Sequence, residues 1–200
     1  MDRDAYINRT VEEFKRILAA GRPINKQLGI FIKNKITGYL KDHPNEPVTP
    51  FIVDVMTPIL ASEEIRQPAL DLRSFVKYVT IGSLLAAREL KREYNSVAFQ
   101  IPKLVFLKTA EQFPEETIIR ILKGFAAALA SLSWVMIWRR DLQGELQRII
   151  EGVIAGLNLL LIPGKKKEAW IYEAFNIWGM LYDSIVVFVF TDGFWPLTKG

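Results

Sequence analysis

Nine basic side chains stand in the first 41 residues: Arg3, Arg9, Lys15, Arg16, Arg22, Lys26, Lys33, Lys35 and Lys41. Only Asp2, Asp4, Glu12 and Glu13 oppose them, a surplus of five in a chain whose whole net charge is +4, so everything after Lys41 sums to −1. A charge asymmetry of this kind points to nucleic acid or an anionic membrane. Lys26 and Lys33 are seven residues apart, two helical turns, and so share one side of a helix. Taken singly, each cation is most simply a solvated surface residue; the collective excess carries the inference. Arg and Lys scattered over consecutive helices, with no base-reading set among them, suit neutralisation of a regularly spaced polyanion. Such binding is salt-sensitive and largely indifferent to sequence. Arg73 and Lys77 join the candidate set, sharing a side with Arg66 if their helix begins early enough.

Other chemistry finds little support. Cysteine is absent, which excludes disulfides, thiolate metal sites and cysteine nucleophiles. The only histidine, His43, precedes a proline in a loop-like stretch and reads as a solvated residue; no GxSxG elbow accompanies it. One histidine leaves no Glu-x-x-His pairs for a di-iron bundle. Glu63 with Glu64, and Glu115 with Glu116, are adjacent and diverge on a helix, so helix-start electrostatics explains them better than acid–base catalysis. Gly164 followed by three lysines lacks the remainder of a P-loop and reads as an exposed turn. Trp134 and Trp138, and Trp170 and Trp178, have core spacing, and their abundance favours a large subunit contact. No enzyme, metal or cofactor is expected.

The cations must be positioned by helices. Ile7, Val11, Phe14 and Leu18 step by four, three and four, which predicts an amphipathic helix over residues 4–20 with Arg9 and Arg16 on another side. Thr10 and Glu13 have capping-box spacing, so its regular part is expected from Thr10, and Gly21, Arg22 and Pro23 end it. A second helix is expected over residues 24–41, with Leu28, Ile32, Ile36, Tyr39 and Leu40 apolar; Gly29 and Gly38 count against it. Together they make a basic helix-turn-helix hairpin, residues 1–42, set off by a Pro-rich linker at 43–50. Residues 51–200 read as a bundle. Its expected helices are a short or kinked one at 51–60, a long one at 68–94 opened by Ser62, Glu63 and Glu64, a short one at 102–112, and others at 114–140, 141–161 and 165–190. The small residues between Gly124 and Ser133 would let another helix approach closely. No window alternates as a strand does, so the fold class is all-α: a multi-helix bundle with an N-terminal basic hairpin.

The most membrane-like stretch, residues 169–190, contains Glu173, Asn176 and Asp183 and is better read as a buried core helix. The N-terminus lacks the apolar region of a secretory signal. Avoidance of cysteine is a habit of proteins from hot environments.

In size, lack of cysteine, helical content, a basic start carrying Arg9, Arg16, Arg22, Lys26 and Lys33, and an apolar, aromatic C-terminal half, the chain resembles the major coat proteins of filamentous viruses that infect hyperthermophilic archaea, the lipothrixvirus group. The resemblance implies a structural protein of the virion. Its N-terminal helices would wrap double-stranded DNA held in A-form, and a homologous coat protein would pair with it as a heterodimer among symmetry mates in a filament. Some relatives carry a membrane envelope, which Phe194 and Trp195 would face. Two other classes stay open: a soluble helical sensor or ligand-binding domain with the basic hairpin docked on a protein, and a peripheral membrane protein.

Overall fold

The structure, a computed structural model, describes residues 2–114, 117–118, 120–122, 124–125 and 143–160. The described residues are helical with no strand among them, so the chain is all-α and consistent with a helical bundle. The expected helix at 165–190, most of that at 114–140, Glu115, Glu116, the lysines after Gly164, the tryptophan pairs, Phe194 and Trp195 lie outside the described residues.

Helix α1 spans Arg3–Ala19 and buries Ile7, Val11, Phe14 and Leu18, the face its spacing predicts. Thr10 does not cap it. It lies within the helix and is buried, because it falls on that apolar face and nothing between residues 3 and 9 breaks the helix. Gly21 adopts φ +62°, a left-handed conformation open to glycine, and stops the helix. Asn25 then caps α2, Lys26–Leu40, its side-chain oxygen accepting from the Gln27 N–H at 2.9 Å.

Gly29, which counted against α2 on propensity, is where α2 meets α4. A Cβ on Gly82 of α4, which spans Leu72–Leu90, would lie 2.6 Å from the Gly29 carbonyl oxygen, so the two backbones approach as only glycine permits. The local helix penalty is offset by close packing. α2 runs along α4, and α1 runs along α3, Val48–Leu60.

α3 starts three residues before the expected position, taking Val48, Thr49 and Pro50 out of the Pro-rich linker. Proline is tolerated in a first turn, where its missing N–H has no partner to lose. The cap comes from elsewhere: Glu93 accepts from the Val48 and Thr49 N–H groups, both at 2.9 Å, and from the Thr49 hydroxyl at 2.7 Å. Burial pushes the Glu93 carboxyl up, but the Thr49 and Val48 hydrogen bonds outweigh it and hold the group below its usual range.

Ser62, Glu63 and Glu64 do not open the long helix. Glu63–Arg66 is a separate 3-10 turn, and α4 is capped by Asp71, which accepts from the Ser74 N–H at 3.1 Å and its hydroxyl at 2.6 Å. Arg66 is therefore outside the helix that carries Arg73 and Lys77. Helix α5, Tyr94–Gln112, passes through Asn95, Ser96 and a buried Pro102 where a later start was expected. Its partner α6, Gln143–Leu160, lies along it. Packing against α6 and α3 supports α5 across the proline that local propensity treats as a boundary.

One hydrophobic cluster runs from Ile7 to Val153, with Phe14, Phe51, Phe75, Phe106 and Phe125 fully buried in it. The apolar faces of α1 and α2 belong to that cluster, so the N-terminal cations decorate packed helices. Among the described residues no helix is long and apolar enough to cross a membrane.

Candidate nucleic-acid interface

The fold sorts the cations into three arrangements. Arg3 is held by acids: its Nε lies 2.6 Å from Glu46, its Nη2 2.5 Å from Asp54 and its Nη1 3.5 Å from Asp4. Hydrogen bonds to Asp54 and then Glu46 raise its pKa further above the ordinary arginine value. Its guanidinium also sits 5.9 Å from the centroid of the Phe51 ring.

In the second arrangement one acid is held by two cations. Glu13 pairs through one oxygen with Arg9, at 3.1 Å, and through the other with Lys35. Glu89 does the same with Lys33 at 2.8 Å and Lys41 at 2.5 Å. The Lys35 hydrogen bond, with Arg9 behind it, holds the Glu13 carboxyl below its usual range; Lys33 and then Lys41 do so for Glu89. A simpler pair joins Lys15 to Glu12 at 3.4 Å.

Arg16, Arg22 and Lys26 make the third. All three are exposed and meet no carboxylate among the described residues. Arg16 lies in the last turn of α1, Arg22 in the break and Lys26 at the first position of α2, so the elbow at Gly21 brings them to one end of the bundle. Arg22 lines a cleft of about 230 Å³ with Pro23, Ile24, Gln67, Leu70 and Asp71, which places the start of α4 at the same end. Arg73 and Lys77 follow on α4. Lys77 is half-buried with its Nζ 5.1 Å from the Tyr78 ring centroid, and burial, then the Arg73 charge, push its pKa down. The acids of this end are Asp71, engaged as a cap, Glu63 and Glu64 of the 3-10 turn packed on α1, and, one turn from Arg16, Glu12 and Glu13, which pair with Lys15, Arg9 and Lys35. Arg9 and Arg16 line one shallow depression with Asn8, Glu12 and Glu13, as their spacing predicts.

His43, read from the sequence as a solvated loop residue, is half-buried and held on one side by the fold. Its ring stacks on Tyr39 with centroids 4.0 Å apart, its Nδ1–H donates to the Tyr39 carbonyl at 2.8 Å, and Tyr39 stacks in turn on Phe51. The i, i+4 position after the carbonyl of a helix-end residue puts it there. Glu46, Asp54, Glu89 and Glu93 are the residues that sequence reasoning missed. Each meets partners more than 40 positions away, so only the Arg9–Glu13 and Glu12–Lys15 spacings were there to be read. Among the described residues no cluster of ligating side chains suits a metal ion.

Comparison of the chain with protein-family models, curated proteins and solved structures finds no match.

Proposed function

We propose that this chain is a structural protein that packages double-stranded DNA in a helical filament without sequence specificity, as the coat-protein resemblance implies. The observation that carries the reading is the elbow: Arg16, Arg22 and Lys26 are exposed at one end of the bundle with no carboxylate partner among the described residues. Cations presented this way are free to meet phosphates, and their spread over two helices suits a backbone, not a base edge. The wider set of Arg3, Arg9, Lys15, Lys33, Lys35 and Lys41 begins from ion pairs within the fold. In this reading the partners are duplex DNA, a homologous subunit and symmetry mates, the location is the virion, and no catalytic step is involved.

The ligand-binding alternative gains nothing from the described core. A small, largely apolar cavity among the described residues, lined by Tyr6, Phe14, Phe31, Lys35, Phe51 and Met56, measures about 10 Å³, at the lower limit for one water.

Replacing Arg16, Arg22 and Lys26 together by glutamine tests the reading. The bundle is expected to keep its helical content, duplex affinity to fall, and the slope of log K against log salt to become shallower by about 0.9 for each phosphate that is no longer neutralised. An unchanged slope removes the elbow from the interface. Electron microscopy of the chain mixed with DNA tests the filament, and failure to form one at any salt concentration counts against packaging.

A further inference from the structure

Glu13 and Glu89 share a stoichiometry that a structural ion pair does not need. In each, a single carboxylate offers one oxygen to each of two cations, leaving one positive charge in excess: Arg9 and Lys35 around Glu13, Lys33 and Lys41 around Glu89. A phosphodiester presents the same chemistry, one negative charge shared by two non-bridging oxygens. Each cation pair is thus preorganised around a site of the charge and valence of a backbone phosphate.

The two sites flank one surface. Lys33 and Lys35 are two residues apart, about 200° around α2, and leave it on opposite flanks. Between them runs the exposed strip of Ile30, Asn34 and Gly38, spaced four apart. A Cβ at Gly38 would meet only the Tyr6 hydroxyl, 3.5 Å away, so little stands above this part of the helix. The sites are also reachable: the side chains of Lys33, Glu89 and Lys41 are 29%, 34% and 57% exposed, and those of Arg9, Glu13 and Lys35 are 67%, 28% and 28% exposed. A displaced carboxylate would turn to water, not remain buried without a partner.

We propose that Glu13 and Glu89 are internal stand-ins for DNA phosphates, holding two cation pairs in place on either flank of α2 until a duplex laid along that helix takes them over. This inference rests on the DNA-packaging reading and extends its interface from the elbow to the face of α2. The exchange swaps one anion for another, so the fold keeps its charge balance while the protein goes from free to bound. The carboxylates thereby weaken the grip on stray polyanions and lower the affinity per subunit, so that cooperative assembly decides binding.

The test compares wild type, Glu13→Gln, Glu89→Gln and Glu111→Gln in binding to a short random-sequence duplex across a salt series. Among the described residues Glu111 pairs with Lys108 alone, at 3.6 Å, so its replacement adds the same charge without releasing a cation pair. Glu13→Gln and Glu89→Gln are each expected to tighten binding about threefold beyond Glu111→Gln at matched salt, the scale of a partly exposed ion pair. Adding Lys33→Gln and Lys41→Gln to Glu89→Gln should abolish that gain and make the salt slope shallower by about 0.9, the one phosphate that the pair would hold. If wild type binds with a steep salt slope but Glu13→Gln and Glu89→Gln are no tighter than Glu111→Gln, the stand-in role is overturned and packaging stands. If no variant, wild type included, binds duplex in a salt-dependent way, both fall. A gain seen on phosphatidylglycerol vesicles and not on duplex would overturn the assignment to DNA.

Discussion

The Arg3 and Glu89 clusters are assembled from the same charges in opposite proportion. At Arg3 one cation lies among Glu46, Asp54 and Asp4, with Phe51 beneath it; at Glu89 one carboxylate lies between Lys33 and Lys41. The first has acid in excess and would repel a phosphate. It works as a clamp, tying the start of α1 to the middle of α3 and to the loop before that helix. The second has a cation to spare and lies beside an exposed helix face, the arrangement that the proposed exchange with a phosphate requires. Basic residues close together in the sequence thus do different work, and the number of acids that the fold brings to each decides which.

Three perturbations probe this division, beginning with the largest effect. Phe51→Ala removes a fully buried ring that stacks on Tyr39 and lies under Arg3, and should cost about 3–5 kcal/mol in chemical denaturation. Affinity for duplex per folded molecule should hold, since no proposed phosphate contact depends on that ring. A parallel loss of affinity in the folded fraction would mean the clamp and the interface are one unit. Gly82→Ala acts at the other cluster. Its methyl would press on the Gly29 backbone, so α2 must move from α4, at about 1–3 kcal/mol. Because α2 and the residue that follows it bring Lys33 and Lys41 to Glu89, the salt dependence of the proposed DNA binding should change along with stability; a stability loss with an unaltered salt slope would separate the α2–α4 packing from the interface.

The smallest effect is that of acid. Glu13 and Glu89 are held below the usual carboxylate range in the folded chain, so their contribution is complete above the unfolded value and is lost as pH falls through the folded one. The Glu13→Gln, Glu89→Gln double variant should therefore lose less stability than wild type on acidification below about pH 4.5. With solvent screening the difference should stay under about 1 kcal/mol per site in pH-dependent thermal melts. Identical acid limbs for the two proteins would mean that these bridges add nothing to stability in solution.

Much of the helical reading was legible because it depends on near neighbours. The Ile7, Val11, Phe14 and Leu18 stripe and the Gly21 stop identify α1, and the i, i+4 spacing of Arg9 and Glu13 is visible in the chain. Where local rules failed, a distant residue had supplied what they assumed to be missing. α3 begins early because Glu93 satisfies its first N–H groups from 44 and 45 positions away. α5 starts before Pro102 because neighbouring helices pack along it. Gly29 weakens α2 by propensity and serves it by packing, since Gly82 lies opposite. Thr10, which has the spacing of a cap, is buried because the apolar stripe claims that side of the helix.

By itself the sequence determined an all-helical chain, the break between α1 and α2, and a surplus of cations before Lys41, since all three follow from composition, periodicity and punctuation within a few turns. Only the tertiary structure decided which cations are exposed without a carboxylate and which are held. Coulomb interaction between partly exposed charges is short in reach, so a carboxylate counts only where folding delivers it. Asp54 is 51 residues from Arg3, and Glu89 is 48 from Lys41. Nothing in the spacing of the charges announces that one of these acids joins a clamp and the other a cation pair beside an open helix face.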